Sequence, residues 1–327
     1  MRRPDYAGEH VREAVGGWSA HRTMLADVGQ REEKDPAPYD VNAHVGREPR
    51  MPDHPEAERV SIAVKDGVAD VRLNRPDKLN ALDLAMFDGL VEAGDRIAAD
   101  ASVRAVVLSG EGRAFCAGLD LGSFQAMAAT DRGSAVTSGL GDRSGGRITN
   151  HGQQAAYTWA ELPVPVIAAV HGVALGGGLQ VALGADLRFV APDAQMSVLE
   201  IRWGLIPDMT GTHTLRRLVG LDVAKELTWT GRMVSGEEAV AIGLATRVCA
   251  DPKEEALEFA RQLAASSPHA IRAGKRLLNQ SGLVEVAQQF KDESREMGAL
   301  IGSPNQVEAV NAWFQKRRPE FTDPDPR

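Results

Sequence analysis

Three consecutive glycines, Gly176-Gly177-Gly178, stand between an apolar β-like run (Val164, Val166, Ile167, Val170) and a helix-compatible run from Leu179 to Leu183. Glycine lacks a Cβ, so such a turn can bring bare backbone N–H groups close to a ligand. At a helix N-terminus those N–H groups have no internal partners and face outward with the positive end of the helix dipole. The place suits an anion, or an oxyanion that develops during a reaction. A tight strand-to-helix crossover that needs small residues for packing is the alternative reading of the same residues.

A second turn follows the same plan. Val103 to Leu108 reads as a buried strand, Gly110-Glu111-Gly112 turns, and Ala114-Phe115-Cys116-Ala117-Gly118-Leu119-Asp120-Leu121 follows. Two turns that each present one backbone N–H are what a two-donor oxyanion hole requires. Together with the entry Asn74-Arg75-Pro76-Asp77-Lys78-Leu79-Asn80-Ala81-Leu82, the run Val170 to Gln180 and the tail Trp313 to Phe321, the chain closely resembles the crotonase (enoyl-CoA hydratase/isomerase) superfamily. The resemblance runs from about Val60 to Phe321.

The rest of the composition is permissive. The 327 residues are 43% hydrophobic and 25% charged, as in an ordinary soluble protein. A net charge of −8 argues against a general nucleic-acid surface. With only Cys116 and Cys249 there is no disulfide framework, and a reducing cytoplasm fits. No apolar run approaches the roughly 18 residues of a spanning helix, so no membrane partner is expected. Residues 1–57 carry many charges and few periodic apolar positions and read as a flexible N-terminal extension; they are too acidic for a typical transit peptide. Residues 58–255 are expected to form the acyl-CoA-binding and catalytic core, and 256–327 a C-terminal helical region.

Within the core, Val60, Ile62 and Val64 alternate, Asp66-Gly67 marks a turn, and Val71 and Leu73 resume, which predicts a hairpin. Leu84, Phe87, Val91 and Ala98 then share a helical face with Gly94 among them. Residues 122–155 have weak periodicity and are expected to form a mobile wall over a pocket. Leu187 to Val190 and Met196 to Val198 predict short strands. Ser235 with Glu238, and Ser303 with Gln306, predict capped helices. The order of elements indicates an α/β core with a helical extension. What the resemblance implies is more specific: a superhelix of ββα units with a C-terminal helical region used in trimer formation, as a homotrimer or dimer of trimers.

The resemblance also implies site roles. The thioester carbonyl of an acyl-CoA would sit between the N–H groups of Leu119 and Gly177. Lys78, Leu79, Ala117, Asp120 and Lys316 would contact coenzyme A, the substrate's own carrier; no metal and no further cofactor is implied. Hydratases of this family use two glutamates, and the first position is Gln180 here. An amide cannot exchange a proton near neutral pH, although it can orient water. The second carboxylate is present as Glu200. Asp208 falls where the family's dienoyl-CoA isomerases place an aspartate, although those enzymes also carry an aspartate at the Gln180 position.

Each of these has a plainer alternative: a surface charge at a strand end for Glu200, a helix cap for Asp208, a core leucine for Leu119. Cys116 reads as a small packed residue, His151 as a solvated loop histidine, and Trp203, Trp229 and Trp313 as core or interface anchors. The expectation is an enzyme that stabilises a thioester enolate and shifts double bonds of enoyl- or dienoyl-CoA through Glu200 and Asp208. The alternatives are a hydratase in which Gln180 orients water, and a non-catalytic acyl-CoA-binding homologue.

Overall fold

A computed structural model of the chain describes residues 58–120, 122 and 146–324, all within the unit Pro55–Arg327. The extension 1–57, and with it the question of its flexibility, lies outside the described residues, as do residues 123–145 of the expected wall.

The hairpin forms where alternation predicts it. Strands β1 (Val60–Lys65) and β2 (Val68–Leu73) pair antiparallel from Val60↔Leu73 to Lys65↔Val68. Asp66 and Gly67 both have positive φ, 51° and 76°, which is what a two-residue hairpin loop demands. Strands β3 (Ala105–Gly110), β4 (Val166–Val170), β6 (Leu187–Val190) and β9 (Arg247–Val248) then add in parallel, giving the order β1-β2-β3-β4-β6-β9. Every residue of β3 and β4 is buried, so these runs read as apolar throughout rather than alternating. A smaller sheet joins β5 (Val173–Leu175), β7 (Gln195–Ser197) and β8 (Val234–Ser235).

The large sheet is covered on both faces. Ala105, Val107, Ile167 and Ala169 pack with Ala256, Ala260 and Ala264 of helix α7 (Pro252–Ala264). Their alternates Val106, Leu108, Val166 and Ala168 join the main core with helices α1 (Leu84–Ala99) and α2 (His151–Glu161). This period-two division is the geometry of a strand.

Helix α1 is found where expected but rotated. Its buried residues are Met86, Phe87, Leu90, Ala93, Gly94 and Ile97, whereas Leu84 and Ala98 are exposed. The contact with α2 sets this phase: a Cβ on Gly94 would lie 2.0 Å from Thr158 Oγ1, so the helices touch along Gly94. Helix α2 itself corrects the reading of 122–155 as wall. Asn150 and Gln153 form a reciprocal capping box, and Trp159 of α2 is fully buried. His151 is accordingly not a loop residue; it opens α2 and pairs with Asp88 at 2.8 Å.

The helix α3 (Gly177–Leu183) follows the glycines, and α4 (Gly211–Leu218), α5 (Leu221–Thr230) and α6 (Gly236–Ala241) follow in turn. Ser235 caps α6 through Glu238 N, as predicted. The last third is helical: α8 (Pro268–Gln280), α9 (Val286–Leu300) and α10 (Pro304–Gln315), the last capped by Ser303 through Gln306 N. Lys275 of α8 pins this region to the core, donating to Asp186 Oδ2 at 2.7 Å and Val164 O at 2.9 Å. The tail returns to the start of β3, where Arg104 donates to Phe321 O and Asp323. Trp203, Trp229 and Trp313 are 50%, 67% and 81% exposed, so within one chain none is a core anchor. No helix among the described residues is long and apolar enough to cross a membrane.

Candidate active site

The entry loop is built around Asn80. Leu79 and Asn80 both adopt positive φ, 51° and 55°, after the short 3-10 turn Pro76–Lys78. The Asn80 side chain is fully buried and satisfied: Oδ1 accepts from Arg75 N at 2.8 Å, and Nδ2 donates to Glu111 O at 3.0 Å and Ala114 O at 2.9 Å. A side chain with both acceptor and donor ends suits this bridging task. The loop then runs along the second turn, with Ala117 N donating to Leu79 O, Leu82 N to Gly118 O and Asp120 N to Leu82 O.

Lys78, Leu79, Ala117 and Asp120 are therefore brought together, with the Lys78 side chain exposed. Asp120 accepts from Arg75 Nη1 at 2.8 Å and from Gly122 N at 2.8 Å. Partial burial works against ionisation of Asp120, but Arg75 and the Gly122 N–H outweigh it and hold its carboxyl below the usual value. Asp120 is thus engaged within the protein. Lys316 is not gathered into this group: it is the exposed, left-handed C-cap of α10, on the tail that Arg104 holds at the opening end of β3. The bridging roles of Asn80 and Arg75 are not legible in the entry motif, because two consecutive left-handed residues in a turn are invisible until φ is known.

The glycine turns meet in the small sheet rather than the large one. The triple-glycine turn leaves β5, not the preceding apolar strand, because β4 ends at Val170 and His171-Gly172 redirects the chain. Cys116 pairs in parallel with Ala174, and Leu175 N donates to Cys116 O at 3.0 Å. A Cβ on Gly118 would lie 2.6 Å from Leu175 O and 3.7 Å from Gly177 N, so the turns are in direct contact. In the bridge with Leu82, Gly118 O and Asp120 N make the hydrogen bonds; among the described residues neither Leu119 N nor Gly177 N takes part in the turn hydrogen bonds. Cys116 is fully buried, its thiol is pushed up to about 12 by burial, and it packs under Gly178. It is a packing residue.

Glu200 lies in the 3-10 turn Leu199–Trp203 and is 9% exposed, which excludes a surface charge at a strand end. Its carboxylate packs over the glycine turn: a Cβ on Gly176 would be 3.3 Å from Glu200 Oε1. Gln180 Nε2 donates to that oxygen at 2.6 Å. The other oxygen, Oε2, is buried and has no hydrogen-bond partner among the described residues. Burial pushes the Glu200 carboxyl above its usual value and the charge of Asp208 adds to this, while the Gln180 hydrogen bond opposes it.

Asp208 lies close enough to Glu200 for its charge to act on that carboxyl. It is exposed as a residue, but the protein around its carboxyl pushes that group upward as well. It is not a helix cap: the N-cap of α4 is Thr210, with no side-chain cap hydrogen bond. Next to it, Met209 is buried with Sδ against Gly177, 3.0 Å from where a Cβ would stand. The elements carrying Glu200 and Asp208 thus close over Gly176 and Gly177 respectively. Chemically, the arrangement offers two glycine turns in direct contact, one buried carboxylate with an oxygen that has no hydrogen-bond partner among the described residues, and a second carboxylate nearby. Among the described residues no cluster of three or more His, Cys, Asp or Glu is placed to hold a metal.

A family model described as Enoyl-CoA hydratase/isomerase matches residues 63–324. The chain belongs to that family. Its likeness to the members named next covers 79% to 98% of their length. A probable enoyl-CoA hydratase of Bacillus subtilis is 34% identical over 80% of this chain and 98% of that protein. A mitochondrial methylglutaconyl-CoA hydratase of Mus musculus is 32% identical over 78% of this chain and 79% of that protein. The crystal structure of an enoyl-CoA hydratase from Bacillus anthracis superposes with a TM-score of 0.73 at 31% identity, covering 80% of this chain and 98% of that one. The α/β architecture described above is therefore the crotonase fold, and the chain is an enzyme of the enoyl-CoA hydratase/isomerase family.

Proposed function

We propose that this enzyme relocates a double bond in an enoyl- or dienoyl-CoA. The observation that carries this reading is the engagement of Gln180. Its carboxamide oxygen accepts from Met209 N and Gly211 N, and its nitrogen donates to Glu200. An amide in that position exchanges no proton. The groups able to do so beside the glycine turns are Glu200 and Asp208, both with pKa values raised by their surroundings.

In the proposed cycle the thioester carbonyl accepts hydrogen bonds from Leu119 N and Gly177 N. Ionised Glu200 takes a proton from the acyl chain, and the electron pair of that C–H bond moves into the conjugated carbonyl, forming an enolate. The enolate then collapses with the double bond shifted, taking a proton at the other carbon from the carboxyl group of Asp208. Protons balance when Glu200 later returns its proton and Asp208 regains one from solvent. Lys78, Leu79 and Ala117 supply the place for the coenzyme A portion, and Lys316 would reach it only from elsewhere in an assembly.

The test is Asp208→Asn. That change preserves shape while removing the proton, so isomerisation should fall by about 10²-fold. A non-conjugated substrate should also turn over faster than crotonyl-CoA is hydrated in the unmodified enzyme. Crotonyl-CoA hydration that is fast and indifferent to Asp208→Asn would instead establish a second reading, hydration with Glu200 as sole base. The names of the relatives, which include an enoyl-CoA hydratase and a methylglutaconyl-CoA hydratase, favour that reading.

The same reading includes assembly. Leu278, Phe290, Met297, Trp313 and Phe314 stand exposed on α8, α9 and α10, with Phe314 at 79%. Apolar surface of this extent on the terminal helices suits burial against further copies of the chain, as a trimer. Light scattering should report the trimer, and Trp313→Asp with Phe314→Asp should shift it toward monomer; a wild-type monomer at micromolar concentration would exclude it.

A further inference from the structure

We infer that Gln180 is the positioning residue that joins the two acid–base elements, and that it leaves Glu200 Oε2 as the oxygen through which protons move. This deepens the reading above and rests on it for the identity of the reaction.

Gln180 is 2% exposed and sits on α3, directly behind the glycine turn. Both ends of its carboxamide are committed. Backbone N–H groups can only donate, so the two bonds from Met209 N (2.8 Å) and Gly211 N (3.0 Å) identify the acceptor end as Oε1. The donor end, Nε2, must then face Glu200, where it meets Oε1 at 2.6 Å. One side chain therefore fixes the backbone that follows Asp208 and one carboxylate oxygen of Glu200. The site is shaped around it: a Cβ on Gly211 would fall 2.7 Å from Gln180 Oε1, so no side chain fits there while Gln180 holds this position.

The consequence for Glu200 is an asymmetry between its oxygens. Oε1 is held by Gln180 and packs over Gly176; Oε2 is buried with no hydrogen-bond partner among the described residues. A buried acceptor lacking a hydrogen bond is costly unless something arrives to satisfy it. A proton taken from the acyl chain does so. The donor from Gln180 also stabilises the ionised form that must be present before proton transfer, opposing burial and the like charge of Asp208.

Two substitutions separate the two ends of the amide. Gln180→Glu keeps oxygens for Met209 N and Gly211 N but replaces the donor with a second carboxylate against Glu200. Gln180→Met keeps the volume and removes both functions. The ¹³C NMR titration of Glu200 in the ligand-free enzyme, assigned with Glu200→Gln, is read beside the pH profile of kcat/KM. Gln180→Glu should move the Glu200 titration and the acid limb up by at least about one pH unit, since adjacent carboxylates cannot both ionise freely. Gln180→Met should lower kcat by about 10²-fold with little change in KM, because the carboxylates lose their register.

A Glu200 titration unmoved by Gln180→Glu would overturn the inference even if isomerisation is found. A titration that moves in an enzyme that isomerises nothing would uphold the positioning role and overturn the isomerase reading. A folded Gln180→Met enzyme with unchanged kcat would also overturn the positioning role.

Discussion

Glu200→Gln is expected to lower turnover of an enoyl- or dienoyl-CoA by about 10²–10⁴-fold, the range a positioned general base supplies. The loss should not come from unfolding, and the direction of the Glu200 pKa shift says why. Burial raises the carboxyl above its value in the unfolded chain. Such a group favours folding when protonated; that contribution is complete below the unfolded pKa and is lost as pH rises through the folded one. At neutral pH the ionised carboxylate therefore costs stability, and a neutral glutamine removes the cost while still accepting from Gln180 Nε2. Melting followed by circular dichroism should place Glu200→Gln at or above the wild type at pH 8, with the difference closing as the pH falls below the carboxylate range. The wild-type kcat/KM should lose activity on the acid side at a pH above that of an ordinary glutamate. An active Glu200→Gln enzyme would remove Glu200 from the chemistry. A variant destabilised equally at all pH values would make it a structural residue.

The fold was legible where periodicity is strong. The Val60–Leu73 hairpin, β6 and the capped helices at Ser235 and Ser303 follow from alternation and cap residues alone. The position of helix α1 is legible but its phase is not, since the deciding contact is Gly94 against Thr158 of α2, a helix whose first residues fall within the segment 122–155 expected as a wall. Helix α2 carried its own signal, Asn150 and Gln153 at capping-box spacing, hidden behind a polar, glycine-rich segment.

In the site, Glu200 and Asp208 could be named from the sequence, but their surroundings could not. Whether Asp208 caps α4 depends on a single residue, Thr210, taking the cap instead. The role of Gln180 depends on two backbone N–H groups some thirty positions away in sequence, a contact that no local pattern encodes. Asn80 was hidden for a related reason, because its partners lie on the turn that follows β3.

Gly118→Ala should abolish most of the activity while leaving the chain folded, because two separate costs fall on that position and only one concerns the site. Gly118 has φ of 86°, and an alanine there carries backbone strain of about 1–2 kcal/mol. Its Cβ would also stand 2.6 Å from Leu175 O, closer than atoms of that kind approach. Relief requires the Cys116–Leu119 segment to move away from Leu175–Gly177, although Leu175 N to Cys116 O at 3.0 Å ties the two together. That movement carries Leu119 N away from Gly177 N, and losing one oxyanion donor costs about 10²–10³-fold in turnover. Gly282→Ala isolates the strain. Its φ is 76°, nothing lies within 4 Å of the added Cβ, and it sits beyond α8 away from both turns. Both variants should melt lower, Gly118→Ala by more because it also carries the clash with Leu175 O, and only Gly118→Ala should lose kcat. Steady-state kinetics and thermal melts on the pair provide the comparison. Wild-type kcat in a folded Gly118→Ala enzyme would show that the contact between the turns does not hold the thioester oxygen, and that another part of the site stabilises the enolate.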